Sequence, residues 1–264
     1  MKLGFIGTGN MASAIMGGII KKGLISADEI IGADLFAPGR ERVKEEFGIS
    51  VTADNNEVVE KADVIILSVK PQFYENVICE IRDFIRADQI VITIAPGKTL
   101  MWLAEKFDKE VKIVRTMPNT PALVGAGMTA MCPNEYMTEE ESSYVRELLE
   151  SFGKVEIVPE HLMDTVVSTS GSSPAYVFMM IEAMADAAVS GGMPRSQAYQ
   201  FAAQAVLGSA KMVLETGKHP GELKDMVCSP GGTTIEAVRV LEECGFRRSV
   251  IEAMKACEEK SKGM

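Results

Sequence analysis

The sequence predicts an α/β domain with a doubly wound, mostly parallel sheet, followed by an all-helical domain. Up to about residue 160, short apolar runs alternate with helical patterns, whereas after His161 only helical patterns remain. Alternating strands and helices are typical of a parallel sheet covered on both faces. We therefore expect one domain over residues 1–160 and a second over residues 161–264.

The strand candidates of the first domain are continuous apolar runs rather than alternating ones, as expected of strands buried on both faces. They lie at residues 2–6, 29–33, 64–69, 90–95, 111–115 and 154–158. Helical patterns such as residues 11–22 and 39–46 separate them and give a β-α-β rhythm.

The second domain is predicted to be helical throughout. Its helical segments are residues 173–190, 195–215, 221–226, 234–244 and 247–260. Residues 175–190 are apolar nearly all round, which indicates burial on every side. A domain of about 100 residues could hardly surround such a helix alone. We therefore expect this domain to dimerise, with helices of one subunit packing among those of its partner.

The charge and the hydropathy of the chain argue against several kinds of partner. The net charge of −10 argues against a nucleic-acid or anionic-membrane surface. The most apolar stretch, residues 176–189, is interrupted by Glu182 and Asp186 and is too short to span a bilayer. The N-terminus lacks a signal-peptide pattern, so we expect a cytoplasmic protein.

Cysteine and histidine usage argues against a disulfide framework and against a metal site. The five cysteines form an odd number without a C-x-x-C pair, and the two histidines, His161 and His219, lie far apart. Reduced thiols in a cytoplasm fit this pattern, and we expect no metal.

A first glycine loop directly follows the first predicted strand. "GFIGTGNMA" contains G-x-G-x-x-A over residues 7–12, a variant of the dinucleotide-binding fingerprint. Gly7 permits the tight turn, and Gly9 lets the backbone approach a pyrophosphate at the helix N-terminus. The strand, loop and helix are in the right order, so the loop predicts a Rossmann-type domain that binds NAD or NADP.

The choice between the two coenzymes stays open. Asp34 ends the second strand, where a carboxylate accepts hydrogen bonds from ribose hydroxyls, and this favours NADH. Arg40 and Arg42 could instead hold a 2′-phosphate, although solvated charges at a helix start are at least as good an interpretation. Asp34 indicates that NADH is usable without excluding NADPH.

Two further strand ends belong to the same expected site. Residues 68–71 and 94–97 follow apolar strands, and ligands of such sheets bind outside the carboxyl ends of strands. Pro71 and Pro96 stop helix continuation and fix the loops. Lys70 could contact the cofactor or be an ordinary surface lysine.

A second glycine loop, "CSPGGTTIEAVRVL" at residues 228–241, begins a helix in the helical domain. Its glycines expose N–H donors that lack intrahelical partners, and its serine and threonines add hydroxyls. Such a start suits a carboxylate, because the donors and the helix dipole both favour an anion. The alternative is an elaborate helix cap, but two glycines and two threonines exceed what capping needs.

The chain resembles the pyrroline-5-carboxylate reductase family along its whole length. The resemblance rests on "GFIGTGNMA", "SVKPQ", "RTMPNTPALVGAGMT" at residues 115–129, "SGSSPAYVFMMIEAMADAAVSGGMPRSQAY" at residues 170–199 and "MVCSPGGTTIEAVRVLEECGFR". It implies a Rossmann domain followed by a dimerisation domain, and homodimers that can associate into decamers. It also implies NADPH or NADH as the coenzyme.

The resemblance assigns residues to both ligands. The cofactor contacts it implies are Ile6, Gly7, Thr8, Gly9, Asn10, Met11, Asn55, Val69, Lys70, Pro71, Ala95, Pro96 and Gly97. Asp34 stands where relatives often carry small polar residues that suit a 2′-phosphate, a departure from the usual NADPH preference. The substrate contacts it implies are Ser229, Gly231, Gly232, Thr233, Thr234 and Glu160.

The implied reaction reduces the C=N bond of 1-pyrroline-5-carboxylate to L-proline, the last step of proline biosynthesis. Thr234 is the catalytic candidate, foremost as a group that orients the imine. The second glycine loop has no neighbouring His or Lys, and a protonated imine needs no such acid, unlike the ketone of a hydroxy-acid dehydrogenase. The alternatives are a non-catalytic dinucleotide sensor and a reductase of six-membered or substituted cyclic imines.

Overall fold

The computed structural model describes residues 2–263. The chain forms two compact units: the first extends to Ser172 and includes the chain from Cys257 onward, and the second is Ser173–Ala256. This division differs from the predicted boundary between residues 160 and 161. The reason is that Met163 and Val167 pack with residues of the sheet in the first unit.

The first unit contains one eight-stranded sheet, ordered β3-β2-β1-β4-β5-β6-β7-β8. All neighbouring strands are parallel except β6 and β7, so the predicted doubly wound, mostly parallel sheet is confirmed. The strands are β1 Leu3–Ile6, β2 Ile30–Ala33, β3 Ser50–Thr52, β4 Val64–Leu67, β5 Ile90–Thr93, β6 Lys112–Met117, β7 Gly127–Pro133 and β8 Gly153–Ile157.

Strand β1 lies between β2 and β4, where the strand order reverses. Every residue of β1, β2, β4 and β5 is buried, which explains their continuous apolar runs. Successive side chains point to opposite faces: Phe5 belongs to one core cluster and Ile6 to the other. The crevice outside the carboxyl ends of β1 and β4 is the place where open α/β sheets bind ligands.

Helices cover both faces of the sheet. The helices of the first unit are α1 Asn10–Lys21, α2 Ala37–Phe47, α3 Asn55–Lys61, α4 Tyr74–Ile81, α5 Leu100–Phe107, α6 Glu139–Leu149 and α7 Met163–Val166. A single π-helical turn, Val167–Gly171, follows α7.

The second unit is helical, as predicted. Its helices are α8 Ser173–Ser190, α9 Arg195–Thr216, α10 Pro220–Met226, α11 Thr233–Glu243 and α12 Phe246–Lys262, whose last turns belong to the first unit. Gly217, which follows α9, adopts the left-handed conformation that suits glycine (φ +64°).

The second unit leaves many large apolar side chains exposed in a single chain. Phe178 and Met179 on α8 are 60% and 69% exposed, so one chain does not surround this helix. A cleft of about 1000 Å³ between α8, α11 and α12 is lined by Tyr176, Met180, Met184, Val240, Leu241 and Phe246, among others. Contiguous apolar surface of this extent is typical of a subunit interface. Within residues 2–263, no helix has the length and apolar character required to cross a membrane.

Candidate functional site

The first glycine loop joins β1 to α1 at the crevice between β1 and β4. Gly7 has φ +96°, and a Cβ at this position would approach the carbonyl carbon and oxygen of Ser68 to 2.7 Å. The Ser68 hydroxyl donates a hydrogen bond to the Gly7 carbonyl at 2.7 Å. The loop is therefore locked against the end of β4, and Gly7 is required by both conformation and space.

The start of α1 presents backbone donors without a cap. Gly9 is the N-cap residue, and no side chain of the described residues caps this helix. A Cβ on Gly9 would meet no atom of the described chain within 4 Å. The first-turn N–H groups lack intrahelical acceptors, so the open space above Gly9 fits the pyrophosphate of a dinucleotide.

Asp34 lies beside this loop, as its position after β2 predicts. One carboxylate oxygen, Oδ2, accepts hydrogen bonds from the backbone N–H of Thr8 at 2.8 Å and from its hydroxyl at 3.1 Å. The other oxygen, Oδ1, accepts a hydrogen bond from the Phe36 N–H at 2.9 Å. The carboxylate is thus fixed next to the loop, where it carries a negative charge toward any ribose or 2′-phosphate bound there.

The two arginines that follow Asp34 bond within the chain. Arg42 donates to the Thr8 carbonyl at 2.8 Å and to the Ser13 hydroxyl at 3.0 Å, so it supports the glycine loop. Arg40 donates to the backbone carbonyl of Asp34. In this structure both guanidinium groups bond to the protein framework. Their contact with a 2′-phosphate stays a prediction.

The other predicted cofactor loops emerge at the same edge of the sheet. Val69, Lys70 and Pro71 follow β4, and Ala95, Pro96 and Gly97 follow β5, which is parallel to β4 and adjacent to it. Lys70 is exposed, whereas Ala95 is buried.

Asn55 begins α3 and is buried. Its side-chain amide donates a hydrogen bond to Glu80 at 2.9 Å, so one of its donors is already used inside the protein. Its expected contact with the cofactor stays a prediction.

Glu160 is held by an ion pair with Arg115 that was not predicted from the sequence. Its Oε1 accepts a hydrogen bond from Arg115 at 2.9 Å and another from the Leu100 N–H at 2.6 Å. The Arg115 side chain is only 3% exposed. Burial raises the pKa of the neighbouring Cys132 thiol, Glu160 adds to this effect and Arg115 opposes it. The available signal was an arginine within the buried strand β6, because a buried charge needs a partner.

The second glycine loop forms a self-contained turn before α11. The Gly232 N–H donates to the Ser229 carbonyl at 3.0 Å, and Gly231 has φ +65°. With Pro230 in the second position, this is the residue pattern of a type II turn. A Cβ on Gly232 would approach the Ser229 hydroxyl to 2.4 Å, so a side chain there would displace that hydroxyl from its present position.

The start of α11 also presents N–H donors. Its N-cap is Gly232, and no side chain within residues 2–263 caps it, although Ser229, Thr233 and Thr234 lie close in sequence. This argues against the interpretation of the loop as an elaborate cap. Thr233 and Ser229 are exposed and Thr234 is half-buried, so hydroxyl and N–H donors are available together at this helix start.

The comparisons with known proteins cover both units. Residues 160–264 match the family model described as pyrroline-5-carboxylate reductase dimerisation, and residues 2–97 match the one described as NADP oxidoreductase, coenzyme F420-dependent. The chain is 55% identical over 263 residues to the pyrroline-5-carboxylate reductase of Escherichia coli K12, covering 98% of this chain and 97% of that one. It is 43% identical over 261 residues to the enzyme of Methanosarcina acetivorans, covering 99% and 97%.

Solved structures resemble the whole chain. The crystal structure of the Plasmodium falciparum pyrroline carboxylate reductase with NADP bound matches with a TM-score of 0.92 at 32% identity, covering 100% of this chain and 97% of that one. The predicted order of a Rossmann-type sheet and a helical dimerisation region is confirmed by these matches.

Proposed function

The chain belongs to the pyrroline-5-carboxylate reductase family, and we propose that it reduces the C=N bond of 1-pyrroline-5-carboxylate to L-proline with NADPH or NADH, the last step of proline biosynthesis. The supporting observation in this chain is its pair of glycine-bearing helix starts, at α1 and α11. Neither start is capped by a side chain of the described residues, so each offers N–H donors to an anion.

The first helix start is proposed to hold the coenzyme, which supplies the hydride when it is bound. The residues that would hold it are Ile6, Gly7, Thr8, Gly9, Asn10, Met11, Asp34, Asn55, Val69, Lys70, Pro71, Ala95, Pro96 and Gly97. The open space above Gly9 supports this assignment. The proposal needs no metal.

The second helix start is proposed to hold the substrate carboxylate. The N–H groups of Thr233 and Thr234, the turn at Gly231 and Gly232, and the hydroxyl of Ser229 would donate to it. The helix dipole adds about half a positive charge at this end. For Glu160, the bonds to Arg115 and to the Leu100 N–H favour a positioning role over direct contact with the substrate.

Thr234 is proposed as the catalytic residue because its hydroxyl can accept a hydrogen bond from the ring N–H and orient the imine. The bound coenzyme would supply the hydride for the new C–H bond, and the electrons of the C=N π bond would move to a nitrogen that already carries its proton. No alkoxide forms, so no acid has to donate a proton in this step. Positioning the two reacting carbons can lower the barrier by up to about 7–11 kcal/mol.

The exposed apolar faces of α8 and α9 support oligomerisation through the helical unit. We propose a homodimer formed by this unit, assembled further into a decamer. We also propose a cytoplasmic location, since the cysteine pattern suits a reducing compartment. Neither nucleic acid nor a membrane belongs to this function.

The test is steady-state oxidation of NADPH and of NADH with 1-pyrroline-5-carboxylate, in parallel with its six-membered homologue. Turnover of the five-membered substrate is expected. Binding of coenzyme without turnover would support the sensor alternative and overturn the proposal. Faster turnover of the six-membered ring would reassign the substrate.

Thr234→Ala tests the catalytic assignment. It should lower kcat roughly 10- to 100-fold, since a hydrogen bond to a charged group contributes about 1.5–3 kcal/mol. The Kd of the coenzyme should not change. Thr216→Ala, at the end of α9 in the same unit, is the matched control and Thr234→Ser the rescue variant. Unchanged kcat in Thr234→Ala would remove Thr234 from this role.

A further inference from the structure

Tyr74 is a buried tyrosine at the edge of the sheet where the coenzyme is proposed to bind. It begins α4 and is fully buried. Its hydroxyl donates to the Leu67 carbonyl at 2.5 Å and accepts from the Thr93 hydroxyl at 3.0 Å and from the Ile94 N–H at 3.3 Å. The hydroxyl therefore has partners for its donor and for both of its acceptor positions.

The partners of Tyr74 are the ends of two adjacent strands. Leu67 is the last residue of β4, Thr93 is the last residue of β5, and Ile94 follows directly. The loop after β4, with Val69, Lys70 and Pro71, runs from Leu67 to Tyr74. The hydrogen bond from the Tyr74 hydroxyl to the Leu67 carbonyl joins the two ends of this loop.

The loop after β5, residues 95–97, begins directly after Thr93 and Ile94, the two residues that donate hydrogen bonds to the Tyr74 hydroxyl.

The Tyr74 hydroxyl keeps its proton over the working range of pH. Burial raises the pKa of Tyr74 to about 12, although the bonds from Thr93 and Ile94 oppose this effect.

A third strand joins the same network. The Thr116 hydroxyl on β6 donates to the Thr93 carbonyl at 2.9 Å, and Thr93 and Thr116 are both fully buried. Hydrogen-bonded hydroxyls thus connect the carboxyl ends of β4, β5 and β6. Such a network fixes backbone positions because each buried polar group has few alternative partners.

We propose that Tyr74 is a positioning residue for the coenzyme: its hydroxyl holds the loops after β4 and β5 in the conformation that binds the dinucleotide. This inference rests on the proposed function. Tyr74 is fully buried, so on this proposal it acts through the loops and not by direct contact with coenzyme or substrate. Its removal is therefore expected to weaken coenzyme binding without disabling the reaction itself.

The experiment measures the Kd of NADPH and NADH by fluorescence titration, and kcat and KM, for Tyr74→Phe. This variant keeps the ring and removes the hydroxyl. Tyr74→Phe removes the three hydrogen bonds of the hydroxyl, and part of this loss should fall on the loops. Both the Kd and the KM of the coenzyme should rise about three- to tenfold, while kcat stays within about twofold. Tyr144→Phe, at a half-buried tyrosine of α6 in the same unit, is the matched control and should match the wild type.

Thr93 provides a second test that does not depend on the folding of Tyr74→Phe. Thr93→Val removes the donor to Tyr74 and should also raise the coenzyme Kd, whereas Thr93→Ser keeps the hydroxyl and should restore it. Lowered thermal stability with an unchanged coenzyme Kd in these variants would overturn the proposal and leave a purely structural role. If the wild type itself bound neither coenzyme, the proposed function would fail instead.

Discussion

The two glycine-bearing helix starts differ in what holds them. The loop before α1 is supported from outside, by Ser68 at the end of β4, by Asp34 after β2 and by Arg42 of α2. The loop before α11 is closed by a bond within itself, from the Gly232 N–H to the Ser229 carbonyl. The first site is therefore a property of the folded sheet, and the second is a property of a short local sequence.

The surroundings differ in the same way. The residues around Gly7 are buried, and a Cβ there would meet backbone. A Cβ on Gly231 would meet no atom of the described residues within 4 Å, so only the backbone conformation, with φ +65°, opposes a side chain there. Substitutions in the first loop should therefore affect folding as well as binding. Substitutions in the second should affect function with a smaller cost in stability.

Helix α6 begins differently from α1 and α11. Thr138 accepts a hydrogen bond from the Glu141 N–H at 3.2 Å, and the Glu141 carboxylate accepts one from the Thr138 N–H at 3.0 Å. This is a capping box, in which side chains of the helix itself satisfy the free donors. The starts of α1 and α11 leave these donors to another group.

The largest effect is expected from Gly7→Ala. Its φ of +96° and the 2.7 Å approach to the backbone of Ser68 leave no room for a methyl group. The variant should lose about 2–4 kcal/mol of stability and most of its coenzyme binding. Thermal unfolding and coenzyme titration measure the two losses.

Gly9→Ala is the matched variant in the same loop, because its φ is −72° and a Cβ there meets no described atom within 4 Å. It should unfold like the wild type but bind the coenzyme roughly tenfold more weakly, since the methyl group would stand where the pyrophosphate approaches. Equal coenzyme affinity in Gly9→Ala and the wild type would show that no ligand comes close to Gly9.

A smaller effect is expected at Asp34, which supports the loop before α1 and is also expected to influence the choice between NADPH and NADH. Asp34→Asn removes a negative charge but retains one oxygen that can accept from the Thr8 N–H. The ratio of kcat/KM for NADPH to that for NADH should rise roughly tenfold, because a 2′-phosphate is no longer repelled. A general weakening of the loop would lower kcat/KM for both coenzymes, so it would not change this ratio. Asp83→Asn, at an exposed surface position, is the control, and an unchanged ratio in Asp34→Asn would exclude charge at this position as the discriminator.

Much of the fold could be predicted because buried strands have a recognisable pattern of apolar residues. Strands β1, β2, β4 and β5 are apolar at almost every position, since both of their faces are covered. Two strands, β3 and β7, were not predicted from the sequence. Strand β3 is a three-residue edge strand without a buried residue, and β7 contains Gly127 and Thr129 and ends at Pro133, so neither resembles an apolar run.

In the candidate site, too, some features could be predicted from the sequence and others could not. Both glycine loops could be found because their function depends on backbone conformation, which local residue order controls. The bonds from Arg42 to the Thr8 carbonyl and from Arg115 to Glu160 could not, because they join residues that are distant in the chain. Arg42, a candidate phosphate ligand from its position in the sequence, supports the loop through this bond.

The smallest effect is expected at the capping box of α6, which serves as the comparison for the starts of α1 and α11. The pKa of Glu141 lies below its ordinary value of 4.5: burial would raise it, but the bonds from Lys112 and Thr138 outweigh burial. A lowered pKa in the folded state means that this carboxylate stabilises the fold above about pH 4.5 and that the contribution is lost as the pH falls through the folded-state pKa.

Thr138→Ala should therefore cost about 1 kcal/mol at neutral pH and less at about pH 3, with kcat and coenzyme Kd unchanged. Urea unfolding at the two pH values measures this, and Ser143→Ala on the same helix is the control. If Thr138→Ala lost activity while keeping the stability of the wild type, the start of α6 would contribute to function. It could then not serve as the purely structural comparison for the starts of α1 and α11.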